Sequence, residues 1–407
     1  MSKGDGSIIN RGAGIWDVQI SFGKNPVTGK YEKASKRVHG TKADARRVRD
    51  ELRRQHESGL SIEGRRETFG EFATEWLDGK RSAGKVTRTT IEDYESILEK
   101  VFPYIGGAKM ADITPKMIDS LYTALRTEHG YSDSRIRKYH MCINQVFRQA
   151  VKYDLIIRNP LDCVECPSLA ESDRSSLSLM ESRQLLETLD RSTAEAYEMA
   201  HGREGASRET SLVDISRLQA VRIALGTGMR RGEVLGLAWE DIDLDGGTIS
   251  VRHSLTVHGE LKEPKTSAGK RRICIDSMLL EALREWKSVQ SGLLGNLGLE
   301  QIGATPVCCD SIGGFISTSN FSRWWAQYRG SIGFEGLKFH ELRHTQATQL
   351  LANGVDVKTV QARMGHSSAT LTLNWYAHAV PENDRRAADL LGGLLKPSEK
   401  IVKLRTA

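Results

Sequence analysis

Residues 337–351 read LKFHELRHTQATQLL, and the fold turns on what HELRH at 340–344 is for. Its letters fit H-E-x-x-H, in which two histidines one helical turn apart hold zinc and the glutamate acts as a base. A zinc site of that kind needs a third protein ligand downstream. The extended pattern wants a glycine and then a third histidine. Here Ala347 stands at the glycine position and Leu350 at the histidine position, and no glutamate occurs between Glu341 and Glu382. Asp356 follows Gly354 and reads as the N-cap of the next helix. The zinc-protease reading therefore lacks a ligand.

Arg343 points to other chemistry. His340, Arg343 and His344 are three or four residues apart and share one helix face. A cation beside two imidazoles repels Zn²⁺ but suits an anion. TGMRRGEVLGLAW (227–239) puts Arg230 and Arg231 at a Gly-flanked helix start. Arginine binds phosphate through a planar, permanently charged fork. KEPKTSAGKRR (262–272) offers Lys265 at the edge of a Gly-containing hairpin, with Lys262 and Lys270 competing for its role. MGHSSATLTLNWYAH (364–378) offers His366 and, ten residues on, Tyr376. Together these make a phosphate-handling set without carboxylate ligands for Mg²⁺. Plainer readings stand beside it: Tyr376 as a core aromatic next to Trp375, Arg230 as a surface charge, His366 as a helix-end cation.

Outward from these motifs, 407 residues suggest about two to four domains. Hydrophobic residues at 39% and charged ones at 27% support ordinary cores. No run of 18 apolar residues appears. The start, MSKGDGSIINRGAG, lacks a secretory pattern, and a cytoplasmic location is expected. Cys163 and Cys166 form a C-x-x-C without a second pair nearby, and read as linker rather than metal site. The net charge of +6 is concentrated: residues 1–66 hold 15 Lys and Arg against 8 Asp and Glu, while the rest holds 43 against 44. Such asymmetry favours a nucleic-acid-binding arm, with a solvated basic face as the plain alternative.

In IWDVQISF, Trp16, Val18, Ile20 and Phe22 alternate with polar residues, the period of a half-buried strand. NPVTGK turns the chain into a second strand, YEKASKRV. Thr41 and Asp44 open a helix whose Ala45, Val48 and Leu52 lie on one face among arginines. A small sheet backed by one helix is expected over 1–58. A basic sheet face can lie in a DNA groove, and Arg11, Lys36 and Arg37 are its candidates. After a linker at 59–66, four helices are expected within 67–160. Thr68 and Glu71 cap the first, Ile91, Tyr94, Leu98 and Val101 mark the second, Thr114-Pro115 starts the third, and the fourth runs over 133–153. Arg135 and Lys138 on the fourth helix are further DNA-binding candidates. A polar connector spans 161–176. The unit at 177–392 is expected to be mainly helical, with helices near 179–190 and 212–226, two or three strands between 247 and 276, and a polar surface loop at 191–211. A tail occupies 393–407.

The chain resembles the tyrosine recombinases, the phage-integrase family. The likeness rests on T-G-x-R-x-G-E at 227–233, P-K-T at 264–266, H-x-L-R-H at 340–344, G-H-S at 365–367, and Tyr376, five boxes in one order. It implies a multidomain α+β chain: an arm-type DNA-binding domain of sheet plus helix, a helical core-binding domain, and a mainly α catalytic domain with a small antiparallel sheet. It implies attack by Tyr376 on a DNA phosphate, giving a 3′-phosphotyrosine and a free 5′-hydroxyl. Arg230 and Arg343 would hold the non-bridging oxygens, His366 would donate to them, His340 would be the general base and Lys265 the general acid. Glu233 would pair within the site and His344 stand behind it. No metal, ATP or other cofactor is implied. The partners implied are double-stranded core and arm DNA sites, three further copies in a tetramer, and possible DNA-bending and excision factors. The architecture is nearest to integrases of temperate phages or mobile elements. A resolvase-type or conjugative-transposon recombinase, and a regulator with a dead catalytic fold, are the alternatives; the latter expects a broken box, and none is broken.

Overall fold

The structure is a computed structural model describing residues 6–24, 31–57, 67–168, 176–202, 207–264 and 267–366, with positions 368, 389, 391, 392 and 395 beyond them. The chain divides into two compact units, Met1–Ser172 and Asp173–Ala407.

The first unit opens with an antiparallel sheet of β1 (Ser7–Gly12), β2 (Ile15–Lys24) and β3 (Tyr31–His39), in that order. Helix α1 (Lys42–Glu57) covers one face. Val18 and Ile20 from β2 are buried with Ala45 and Leu52 from α1, as the alternation requires. The Asp44 carboxylate accepts from the Thr41 backbone N–H at 2.8 Å, closing the start of α1. Strand β1 is an addition to the two strands expected. Ile8 packs inward while Ile9 is 36% exposed, so adjacent isoleucines conceal its alternation.

Four helices with their own core follow: α2 (Phe69–Ser82), α3 (Arg88–Val101), α4 (Pro115–Thr127) and α5 (Asp133–Lys152). Glu71 accepts from the Thr68 N–H at 2.8 Å, and Thr114 precedes Pro115 at the first position of α4. Phe69, Leu98, Ile118, Leu125, Ile136 and Phe147 are fully buried at the centre. Each such side chain contributes about 1.5–3 kcal/mol by leaving water.

The second unit runs through α6 (Leu179–Gly202), α7 (Ser207–Thr227) and the one-turn α8 (Arg231–Leu235). Short strands follow: β4 (Ile242–Asp243), β5 (Thr248–Val251), β6 (Ser254–Leu255), β7 (Leu261–Lys262) and β8 (Arg271–Cys274). They pair as an antiparallel β4-β5-β8 sheet and a separate β6-β7 ribbon. Four of the five strands fall where two or three were expected. Helices α9 (Ser277–Asn296), α10 (Thr318–Ser331), α11 (Phe339–Ala352) and α12 (Val357–Met364) complete the described part. Trp286 and Gln290 of α9 anchor the core; Gln290 accepts from the Trp239 indole at 2.6 Å and donates to the Pro306 carbonyl at 3.0 Å.

The expectation of a surface loop at 191–211 is corrected. Residues 191–202 continue α6 and 207–211 begin α7; 203–206 lie outside the described residues. Thr193, Ala196 and Ala200 are buried at helical spacing, and Tyr197 packs on the same core. Small and polar residues fill that inner stripe, so composition hid the helical period. Residues 381–407, the expected tail at 393–407 among them, fall almost wholly outside the described residues. Among the described residues, no helix is long and apolar enough to cross a membrane.

Candidate active site

Three helix termini in the second unit build one cationic locus. The first is the junction of α7 and α8. Gly228 there has φ +67°, and a Cβ would come within 2.4 Å of Gln346 Oε1 and 2.7 Å of Met364 Cε. Only glycine fits this close, left-handed passage. Arg230 is the N-cap of α8, and the Glu233 carboxylate accepts from its backbone N–H and from its Nη1, both at 2.8 Å. Arg231 faces away and donates to the Ser322 hydroxyl on α10. The two adjacent arginines are therefore separated by direction.

The second terminus is the start of α11. Glu341, the glutamate of HELRH, is buried and accepts from the Lys338 N–H at 2.6 Å. It caps the helix. Arg343, 1% exposed, runs inward, its Nη1 donating to the Gly228 carbonyl at 2.7 Å and its Nη2 to the Met364 carbonyl. His344 is buried beside it, and the exposed His340 ring stands edge-on to His344 with centroids 4.9 Å apart.

The third is the end of α12. Asp356 caps its start by accepting from the Thr359 N–H at 2.9 Å. The helix stops at Gly365, φ +66°, and His366 folds back, its N–H donating to the Gln361 carbonyl at 3.1 Å. Arg230 Nη2 donates to the Gly365 carbonyl at 3.3 Å. The first and third termini thereby meet.

Charge follows from this geometry. Burial, then the neighbouring Arg230 guanidinium, press the Arg343 pKa down to about 9, so it stays cationic at neutral pH. Burial and the Arg343, Arg230 and Arg271 cations hold His366 at about 3, so its imidazole is neutral. Burial pushes the Glu233 carboxyl up, but its bonds to Arg271 and Arg230 outweigh this, and it lies below the ordinary value. A concentrated positive field with a neutral N–H donor is suited to a phosphodiester.

Arg230, Glu233, Arg343, His344 and His366 thus come together, with His340 at the margin. Lys265 and Tyr376 lie outside the described residues. The competing Lys262 and Lys270 are paired with Glu260 and Glu263, each at 2.8 Å. Arg271 was missed. Its signal is period two in KRRIC: Ile273 is buried, so Arg271 on the same side of β8 faces inward, while Arg272 turns out to Asp243 at 2.9 Å. In the first unit, Arg11 and Arg37 share the open sheet face, both bonded to Asp17 at 2.8 Å. Lys36 is opposite Val18 and so lies on the helix-covered side, separated from them. Arg135 sits over the Tyr131 ring at 3.8 Å, and Arg135 and Lys138 line a groove of about 840 Å³ between α3 and α5.

Comparison with known proteins gives the family. The phage integrase family matches residues 204–383, and the phage integrase N-terminal SAM-like domain matches 68–125. A tyrosine recombinase XerC-like protein of Caldanaerobacter subterraneus is 26% identical, over 95% of this chain and 98% of its own. The ICEBs1 integrase of Bacillus subtilis is 25% identical, over 94% and 98%. Among solved structures, the Tn1549 transposon integrase with circular-intermediate DNA covers 80% of this chain and 99% of its own, with TM-score 0.62 and 21% identity. A lambda integrase dimer on a core site covers 91% and 94%, with TM-score 0.54 and 20% identity. The fold is shared with these integrases. The chain belongs to the phage integrase family and is a tyrosine recombinase, an enzyme that cuts and rejoins DNA.

Proposed function

We propose that this recombinase integrates and excises the DNA of a phage or other mobile element at specific sites, through a 3′-phosphotyrosyl intermediate. The convergence of Arg343, Arg230 and neutral His366 at the end of α12, ten residues before Tyr376, carries the reading. A phenol near pKa 10 is a weak nucleophile at pH 7 unless its proton is removed as it attacks. His340 takes that proton. The Tyr376 oxygen bonds to phosphorus, the bond to the 5′-oxygen breaks, and Lys265 protonates the departing oxygen. Arg230 and Arg343 stabilise charge on the non-bridging oxygens and His366 donates a third hydrogen bond. Rejoining runs the same steps backwards, so no ATP is needed.

In this reading residues 1–58 hold distal arm sites, 67–160 and 177–392 clamp the crossover site, 59–66 and 161–176 link them, and 393–407 form a tail. Arg11, Arg37, Arg135 and Lys138 contact DNA. The enzyme acts in the bacterial cytoplasm as a tetramer on two duplexes, helped by a DNA-bending host factor and an excision factor. Full-length similarity to the ICEBs1 integrase, and 24% identity over 85% of this chain to a transposase from Tn916 of Enterococcus faecalis, support a mobile-element setting. A lambda integrase tetramer bound to a Holliday junction, TM-score 0.54 over 89% of this chain, supports the assembly. A nicked suicide duplex incubated in EDTA tests the chemistry: wild type forms a covalent adduct and Tyr376→Phe binds without forming one. An adduct from Tyr376→Phe would remove Tyr376 from its role.

A further inference from the structure

The carboxylate of Glu233 lies beneath the site with both oxygens in use. Oε1 accepts from Arg230 Nη1 at 2.8 Å and Arg271 Nη1 at 3.2 Å; Oε2 accepts from the Arg230 backbone N–H at 2.8 Å and Arg271 Nη2 at 2.9 Å. Two guanidiniums therefore share one anion. They differ in what else they reach. The Arg271 side chain is 6% exposed, and its Nε donates to the Arg363 carbonyl at 2.7 Å while Nη1 also reaches the Gly269 carbonyl at 3.2 Å. All three of its nitrogens serve protein acceptors. The Arg230 side chain is 42% exposed and keeps donors for something outside.

We infer that Arg271 is a positioning residue for DNA cleavage: it neutralises Glu233, so that Arg230 retains its charge for the scissile phosphate. The inference rests on the recombinase chemistry proposed above. Without Arg271, Glu233 and Arg230 form a one-to-one pair, and the Arg230 fork is held to a carboxylate that is 3% exposed. A phosphate must then compete with a buried anion for that fork. With Arg271 present, one positive charge of the trio is uncompensated and faces outward. Arg271 also sets the turn that carries His366. It holds the carbonyl three residues before His366, and a Cβ on Gly365 would meet Arg271 Nη1 at 3.0 Å and the Ala268 carbonyl at 2.8 Å. One buried side chain from β8 thus joins the turn at Gly269, the end of α12 and the acid behind Arg230.

The test uses the full-length chain and single-turnover adduct formation on a nicked suicide duplex, with duplex affinity measured alongside. Arg271→Met slows adduct formation about 10²-fold, the scale of losing a preorganised charge-stabilising group, with affinity changed only a few-fold. The double variant Arg271→Met/Glu233→Gln recovers most of that loss, because charge balance returns while the amide oxygen still accepts from the Arg230 N–H. A scaffold role alone makes the double variant at least as slow as the single one, since a further buried bond is lost. That result overturns the inference, as does a wild-type rate for Arg271→Met. If circular dichroism shows Arg271→Met unfolded, Arg271→Gln and its Glu233→Gln double carry the same comparison. A wild-type chain that forms no adduct, indistinguishable from Tyr376→Phe, instead removes the recombinase chemistry on which the inference stands.

Discussion

The Arg343 guanidinium donates to the carbonyl of Gly228, 115 residues earlier, at 2.7 Å. That bond joins the start of α11 to the turn before α8. A lysine can place one ammonium near one of the two carbonyls that Arg343 bridges, but it lacks the rigid fork. Arg343→Lys is expected to lower the cleavage rate about 10²–10³-fold while binding duplex DNA nearly as wild type. Single-turnover adduct formation beside a binding isotherm measures both.

Adjacent arginines are expected to part company. Arg231 donates to Ser322 and Arg230 faces the end of α12. Arg230→Ala costs about 10²–10³ in cleavage rate, whereas Arg231→Ala stays within a few-fold. Equal losses in the same assay would mean that Arg231 reaches the phosphate as well.

Glu341 separates the two readings of HELRH. As a helix cap it accepts one backbone N–H, which a glutamine oxygen can also do. Glu341→Gln is expected to keep cleavage within a few-fold, and Glu341→Ala to lose about 1 kcal/mol of stability in urea unfolding. A hydrolytic base would tolerate neither change.

Acid should destabilise the catalytic unit through His366. Its folded pKa of about 3 lies below the unfolded value near 6.5, so between these limits only the unfolded chain carries the proton. Stability contributed by keeping the ring neutral is full above about pH 6.5 and falls as pH drops towards 3, by up to ~1.4 kcal/mol per unit. Urea midpoints of wild type and His366→Gln from pH 5 to 7 isolate this slope; parallel curves would mean that His366 titrates normally.

The open sheet face carries its own prediction. Asp17, drawn down to about 2 by hydrogen bonds from Arg37 and Arg11, holds both guanidiniums. Removing its charge releases two cations, so Asp17→Asn should tighten binding to random duplex DNA. Arg11→Gln with Arg37→Gln should weaken it and shallow the salt dependence by about 0.9 for each phosphate no longer neutralised. Salt titrations of all three proteins decide whether this face touches DNA.

Local rules made much of this molecule legible from its letters. The capping pairs Thr68–Glu71 and Thr41–Asp44, Pro115 opening α4, and the inward faces of α2, α3 and α5 each depend on neighbours within a few residues. Arg230, Arg343 and His366 stood out because cations and imidazoles recur in short motifs whose spacing is itself local. Where inner stripes were built from alanine and threonine, as in residues 191–202, periodicity carried no apolar contrast and the helix was hidden. Adjacent Ile8 and Ile9 hid β1 in the same way.

Tertiary structure alone decided which cations act together. Nothing in the sequence turns Arg231 away from Arg230 or brings Arg271 beneath Glu233. Those outcomes depend on how β8, α8 and the end of α12 pack, through bonds between residues as far as 135 positions apart. The amino-acid order determined that the chain would carry a phosphate-seeking set on a mainly helical frame. The folded chain determined which of its guanidiniums is buried against a carboxylate and which stays open, because desolvation and charge pairing are set by position in space, not along the chain.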